Sequence, residues 1–395
     1  MPKAAHRMMR IAEPVIPVIN RLAARRAGTI SLGQGVVFYP PPPAALQRAA
    51  AQMNDAGRHF YGPVEGIAAL REAIGGKLAR CNGITVGGGT SVFVTAGANM
   101  AFNALMLAVC DPGDEVILPA PWYFNHQMTV EMCGCRAVVV ETGERHHPVV
   151  ERIEAAITPR TRAVVTVSPN NPTGRVYPQA LLTAVNQLCA RRGVYHISDE
   201  AYEDFTYEDH RHFSPGALPG AGAHTLSLFT LSKSYGMASW RVGYMVIPDS
   251  LHDAMTKVQD NILICTPTIS QLAAVQCLDG ERDYLREQRS LIETNRALCL
   301  EQLGALSEEG LVEPPSAEGA LYIFLKMKRR CDDYRLAETL VREHGVAVIP
   351  GSAFGPCDGA CLRISYGALP PAAIGEGVGR LVGGLRECLR GQKPE

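Results

Sequence analysis

The 395-residue sequence predicts an α/β fold, with a mostly parallel seven-stranded sheet in a large domain and a smaller α+β domain after it. Three observations point there. Short β-rich apolar runs alternate with helical patterns through the middle of the chain. Most of those runs are apolar throughout rather than alternating, as in a sheet covered on both faces by helices. After about residue 285 the texture changes to one long helical stretch followed by further strands and helices. Domains of roughly 150 residues would divide this length into two or three units.

Residues 1–45 form an arm that ends at the rigid Pro40–Pro43 run. It has no sheet partner nearby in sequence and is expected to pack on the smaller domain. Residues 46–285 make the large domain, opening with a helix whose Ile67, Leu70, Ile74 and Leu78 share a face. Its strands are expected at Ser91–Thr95, Glu115–Pro119, Arg136–Glu141, Ala163–Val167, Val194–Ser198, Thr225–Thr230 and Arg241–Ile247. Among the intervening helices, Asn99–Val109 is apolar nearly all round and reads as a buried central helix. Pro178 occupies the first-turn position that opens Gln179–Ala190. Residues 286–395 make the smaller domain. The helix Asp283–Leu306 leads into strands Ala320–Met327, Val346–Pro350 and Cys361–Ser365. Helices Tyr334–His344 and Ala372–Arg390 accompany them, the latter with the stripe Ile374, Val378, Leu381, Leu385 and Leu389.

Thirty-eight basic residues against 39 acidic ones leave a formal net charge of −1, so nothing in the charge balance calls for nucleic acid or an anionic membrane as partner. No apolar run approaches the roughly 20 residues of a transmembrane helix. The first thirty residues lack an apolar segment and are broken by Pro14 and Pro17, unlike a secretory signal. A cytoplasmic enzyme is the expectation. Twelve cysteines are too sparse for a disulfide scaffold, and the one close pair, Cys133-Gly134-Cys135, has the wrong spacing for a C-x-x-C site. The pairs His146-His147 and His210/His212 read as loop histidines, and no metal is expected.

The chemistry is concentrated at strand ends. Lys233, in Thr230-Leu-Ser-Lys-Ser-Tyr-Gly, closes an apolar strand, where partial desolvation would lower its pKa and make it a nucleophile. Arg241, eight residues on, offers a two-pronged grip on a phosphate. Asn171 lies in Ser-Pro-Asn-Asn-Pro-Thr-Gly174 after one strand, and Asp199 and Tyr202 lie in Asp-Glu-Ala-Tyr after the next. In parallel α/β sheets such segments face one crevice at the carboxyl edge. Gly97, Ala98 and Asn99 turn a strand into a helix N-terminus, a ready cradle for an anion.

These motifs, in this order and spacing, resemble those of fold type I pyridoxal-phosphate (PLP) enzymes of the class I/II aminotransferase superfamily, over essentially the whole chain. The resemblance implies that Lys233 holds PLP covalently and shuttles a proton, and that Asp199 keeps the pyridine nitrogen protonated. It implies that Asn171 and Tyr202 hydrogen-bond the ring oxygen and that Tyr123, in Pro121-Trp-Tyr-Phe-Asn, stacks on the ring. The phosphate cup would be the Gly97–Asn99 backbone with Thr230 and Arg241, and Tyr61 would reach the phosphate across a homodimer interface. Arg363, in Leu-Arg-Ile-Ser-Tyr, would clamp the substrate α-carboxylate, with the Gly35 backbone beside it.

Substrate class is read from two departures. Asn99 stands where some aspartate-specific relatives carry a lysine, and Val36-Val37-Phe38-Tyr39 replaces an acidic loop. An apolar, aromatic-bearing loop favours an aromatic or methionine-like side chain, and the motifs are most similar to plant-type methionine/aromatic aminotransferases. The alternatives are an aspartate aminotransferase, or a PLP-dependent oxidase, cyclase or lyase on the same fold. A PLP-binding regulator domain is disfavoured, since no helix-turn-helix or basic segment is recognised ahead of the fold.

Overall fold

The computed structural model describes residues 4–9, 11–280 and 282–390. The expected outer bounds, residues 1 and 395, lie outside them. Strand β1 (Ile30–Ser31) precedes the main sheet. That sheet comprises β2 (Thr90–Thr95), β3 (Glu115–Ala120), β4 (Arg136–Glu141), β5 (Thr161–Val167), β6 (Tyr195–Asp199), β7 (Thr225–Thr230) and β8 (Gly243–Pro248). Its order is β2-β8-β7-β6-β5-β3-β4. All neighbours are parallel except β8, which runs antiparallel to β2 and β7. Near-continuous apolar strands therefore mark what they were expected to mark, a sheet sandwiched by helices.

The antiparallel β8 matters for the site. It starts, rather than ends, at the edge where the parallel strands end, so the residues just before it join theirs. The sequence expectation began this strand at Arg241. Instead Arg241 takes a left-handed φ of 53° and the strand begins at Gly243. A strand running through residue 241 would pair that backbone; the left-handed turn frees it, so that the side chain reaches the Gly97 turn of β2.

Helix Ala98–Val109 packs Ala101, Phe102, Ala104, Leu105 and Met106 inward, but Leu107 is half exposed, so this helix has an outer face. Its apolar character made it read as wholly buried, which the geometry corrects: it lies on the sheet rather than within it.

Beyond the helix Arg282–Glu308, β9 (Tyr322–Lys326), β10 (Val346–Ala347), β11 (Ile349–Pro350) and β12 (Cys361–Ser365) follow. The expected single strand Val346–Pro350 is split at Val348. Its first half pairs with β1 in parallel and its second with β12, in the antiparallel sheet β11-β12-β9. Residues 15–39 share one apolar core with residues 292–389, and Tyr202, Phe205 and Tyr207 of the loop after β6 enter the same core. Among the described residues no helix is long and apolar enough to cross a membrane.

One close approach fixes the carboxyl edge. A Cβ placed on Gly243 would stand 2.7 Å from Phe229 O and 2.8 Å from Gly97 Cα, backbone atoms that cannot yield. Gly243→Ala is expected to cost about 2–3 kcal/mol of stability, as overpacking does, and to displace the Gly97 turn. A denaturation midpoint equal to wild type would refute this.

Candidate active site

Six chemically useful residues meet at the carboxyl edge of the sheet. Asp199 ends β6, Asn171 lies in the loop after β5, and Tyr202 lies three residues beyond Asp199. Lys233 sits in a single helical turn, Leu231–Ser234, immediately after β7. Arg241 precedes β8, and Arg363 lies within β12. All line one cavity of about 270 Å³, together with Gly35, Ala98, Asn99, Tyr123 and Thr230. Two larger surface clefts, of about 450 Å³ beside Gly87–Gly89 and 640 Å³ beside Arg282, contain none of these residues.

Burial pushes the Lys233 amine down to about 8, reinforced by Arg363 and Arg241 and opposed by Asp199. Its Nζ donates to Gly35 O, and the Tyr39 hydroxyl donates to the carbonyl of Lys233 at 2.8 Å. The Val36–Tyr39 loop thus divides. Val36 lines the cavity, whereas Tyr39 turns away to brace the lysine turn, so its ring is no part of the pocket wall.

Asp199 is buried, with Oδ2 3.1 Å from His126 Nε2 and Oδ1 accepting from the Ala201 N–H at 3.1 Å. His126 packs on Phe102 and meets the Tyr123 ring edge-on at 5.3 Å. A buried carboxylate so oriented can hold a proton on a basic ring nitrogen.

Tyr202, Asn171 and Arg363 form a chain. The Tyr202 hydroxyl lies 2.7 Å from that of Tyr322 and accepts from Asn171 Nδ2 at 3.3 Å. Burial raises the Tyr202 pKa well above the ordinary phenol value, which keeps it a neutral hydrogen-bonding group. Arg363 is 1% exposed; its Nη1 donates to Asn171 Oδ1 at 2.9 Å and its Nη2 to Gly33 O at 2.7 Å. Tyr322 and Phe354 cover the guanidinium at 4.4 and 4.9 Å, and its Nε has no partner. Such a fork, pre-aimed but without a carboxylate, is built to receive one.

Gly97 has φ +83°, and a Cβ there would lie 2.5 Å from Arg241 Nη2. Glycine is required because the guanidinium fills that space. Arg241 donates to Ala96 O and Ala238 O, both at 2.8 Å. The first-turn amides of helix Ala98–Val109 have no partner within the helix, and Thr230 Oγ1 accepts from the Ser232 N–H at 3.2 Å. Tyr61 is 79% exposed beside Phe60 and does not line this cavity. Its own chain does not bring it to the site.

Sequence reasoning passed over His126, Ser232 and Tyr322. Ser232 lay inside a recognised motif and could have been read from the strand-to-helix turn. His126 and Tyr322 act through contacts with residues 73 and 120 positions away, for which one sequence carries no signal.

The chain matches the model of the family "aminotransferase class I and II" over residues 27–381. It belongs to that family. It is 35% identical to an aromatic aminotransferase of Arabidopsis thaliana, across 95% of this chain and 94% of that protein. It is 38% identical to the aspartate/prephenate aminotransferase of Thermus thermophilus, across 87% and 89%. The aspartate aminotransferase from Thermus thermophilus with maleate superposes with a TM-score of 0.89 at 33% identity, covering 97% of this chain and all of the other. The protein is thus a PLP-dependent aminotransferase of fold type I. The residues present fit the cofactor: an amine for its aldehyde, a buried carboxylate for its ring nitrogen, and a glycine turn with an arginine for its phosphate.

In the apoenzyme the neutral Lys233 amine grows as pH rises through about 8. The rate of PLP capture is therefore expected to climb to a plateau with a midpoint there. Because Arg363 helps hold that value down, Arg363→Gln is expected to move the midpoint upward. A wild-type midpoint near the ordinary lysine value of ~10.4 would contradict the assignment.

Proposed function

We propose that this enzyme transfers an amino group between an L-amino acid with an aromatic or methionine-like side chain and a 2-oxo acid, in a ping-pong cycle. Bound in the cavity, PLP supplies a carbonyl carbon to take the amino group and a protonated ring to accept the electron pair left at Cα. Lys233 would hold the cofactor and would remove the Cα proton of the substrate; an amine titrating near 8 is matched to that task at neutral pH. Asp199, oriented by His126, keeps the ring nitrogen protonated. Tyr202 and Asn171 hydrogen-bond the ring oxygen, and Tyr123 covers a ring face. The Gly97, Ala98 and Asn99 backbone holds the phosphate with Thr230, Ser232 and Arg241, completed by Tyr61 of the partner subunit in a homodimer. Arg363 and the Gly35 backbone fix the substrate carboxylate so that Cα stands over Lys233.

One observation carries the substrate preference. Among the described residues lining the cavity, the cations are Lys233, Arg241 and Arg363. The cofactor and the α-carboxylate would occupy all three, which leaves no cation of this chain's own lining for a second carboxylate. Ile16 and Val36 give part of the remaining wall an apolar character, and Gln34 and Asn99 add neutral polar groups. A second reading, aspartate as donor, is favoured by the relatives named for aspartate and prephenate and by the Asn99 amide, which lines the cavity.

Phenylalanine, tyrosine, tryptophan and methionine are expected to exceed aspartate in kcat/KM by at least about tenfold, since leaving a buried charged group unsatisfied costs at least about 1.4 kcal/mol. Single-turnover loss of the holoenzyme's visible band across an amino-acid panel measures this, and faster conversion of aspartate would reverse the assignment. Lys233→Ala is expected to bind PLP noncovalently and to lose turnover.

The homodimer is testable by sedimentation. Tyr61→Phe is expected to weaken PLP retention severalfold, as loss of a hydrogen bond to a charged group does. A fully active monomer would exclude this role for Tyr61.

A further inference from the structure

Behind the cavity, the segment entering β9 carries a buried carboxylate that the chemistry above does not use. Glu318 is 5% exposed. Its Oε1 accepts from Arg175 Nη1 at 2.8 Å and from Arg145 Nη2, and its Oε2 accepts from the Val176 N–H at 3.1 Å. His210 Nε2 stands 3.7 Å from the same oxygen. The backbone is tied at the same point. The N–H groups of Glu318 and Gly319 both donate to Gly174 O at 2.8 Å, and the Tyr207 N–H donates to Glu318 O at 3.0 Å. Gly174, with φ +67°, packs so tightly here that a Cβ would lie 2.4 Å from Tyr322 O.

The turn so fastened is the one that carries Asn171. It is closed by Gly174 N–H to Asn170 O at 2.9 Å and by Asn170 N–H to Arg175 O at 2.8 Å. Asn171 projects from it to Arg363 and Tyr202. We propose that Glu318 is a positioning residue for the substrate-carboxylate grip: by clamping Arg175 and Val176 it fixes the turn from which Asn171 aims Arg363. The proposal rests on Arg363 as the carboxylate clamp.

Two physical points make this more than general stability. Arg145 and Arg175 have Glu318 as their carboxylate, so neutralising it leaves two cations repelling each other at the base of the turn. The 2.9 Å bond to Arg363 Nη1 is lost with a displacement of well under an ångström. Among the described residues Asn171 is the side-chain acceptor of Arg363, whose Nη2 donates to the Gly33 carbonyl.

The test uses the holoenzyme and two carboxylates without an amino group, 3-phenylpropionate and succinate, taking whichever inhibits wild type more strongly. In Glu318→Gln, the inhibition constant and the KM of the amino donor are expected to rise together by about tenfold, with kcat within about twofold, the pattern of lost binding common to ground and transition states. Arg175→Met, which leaves Glu318 in place and removes its less exposed guanidinium partner, is expected to shift both in the same direction by less, and it decides the matter alone if Glu318→Gln does not fold. A lowered melting temperature with unchanged inhibition constant and KM would overturn the proposal and leave the reading of Arg363 standing. An unchanged inhibition constant in Arg363→Gln would overturn both.

Discussion

Three cations share one cavity with one carboxylate, and none of the three forms an ion pair with another described residue. Lys233, Arg241 and Arg363 are held instead by neutral acceptors. These are the carbonyls of Gly35, Ala96, Ala238 and Gly33 and the amide oxygen of Asn171. Arg363 is buried and Lys233 half-buried; burying unpaired positive charge is unfavourable, and carbonyl dipoles offset only part of that cost. A fold arranged this way is complementary to what it binds. Anionic groups bound beside the two arginines would offset the excess, and the Lys233 amine between them is pushed down by its burial and, after that, by Arg363 and Arg241. Pairing any of the three with an internal carboxylate would stabilise the empty protein and weaken the site.

That constraint explains why the sheet has one reversed strand and one glycine pair at its carboxyl edge. Arg241 must enter from the start of β8, and its guanidinium occupies the space a side chain at Gly97 would need. Gly243 lets β8 pass against the same turn. The cradle is thus a packing consequence of two glycines and an antiparallel strand.

The features legible in the sequence were those in which chemistry and local conformation coincide. A lysine at the end of an apolar strand, a glycine turn opening a helix, and an Asn-Pro-Thr-Gly turn each carry both signals within a few residues. What stayed illegible depended on distant partners. His126 matters because the helix after β3 carries it to the end of β6, and Tyr322 because β9 carries it to Tyr202. The split of Val346–Pro350 was hidden because continuous apolarity is the same whether a segment pairs with one neighbour or two. Arg241 was placed in a strand because its sequence neighbours are β formers; only contact with Ala96 and Ala238 selects the left-handed turn.

One segment, residues 30–39, links the two halves of the site. At Ile30–Leu32 it pairs with β10, and the Ser365 N–H donates to Leu32 O at 2.7 Å. At Gly33 its carbonyl receives Arg363, at Gly35 its carbonyl receives Lys233, and at Tyr39 its hydroxyl braces the lysine turn. The arginine on β12 and the lysine after β7 are therefore set against each other through the seven residues Gly33–Tyr39 of one bent stretch rather than through the bulk of either core. A shift of that stretch would move the partners of Arg363 and Lys233 together, where separate loops would let the two side chains drift apart. Geometry of that kind is what a proton transfer at a fixed carbon requires.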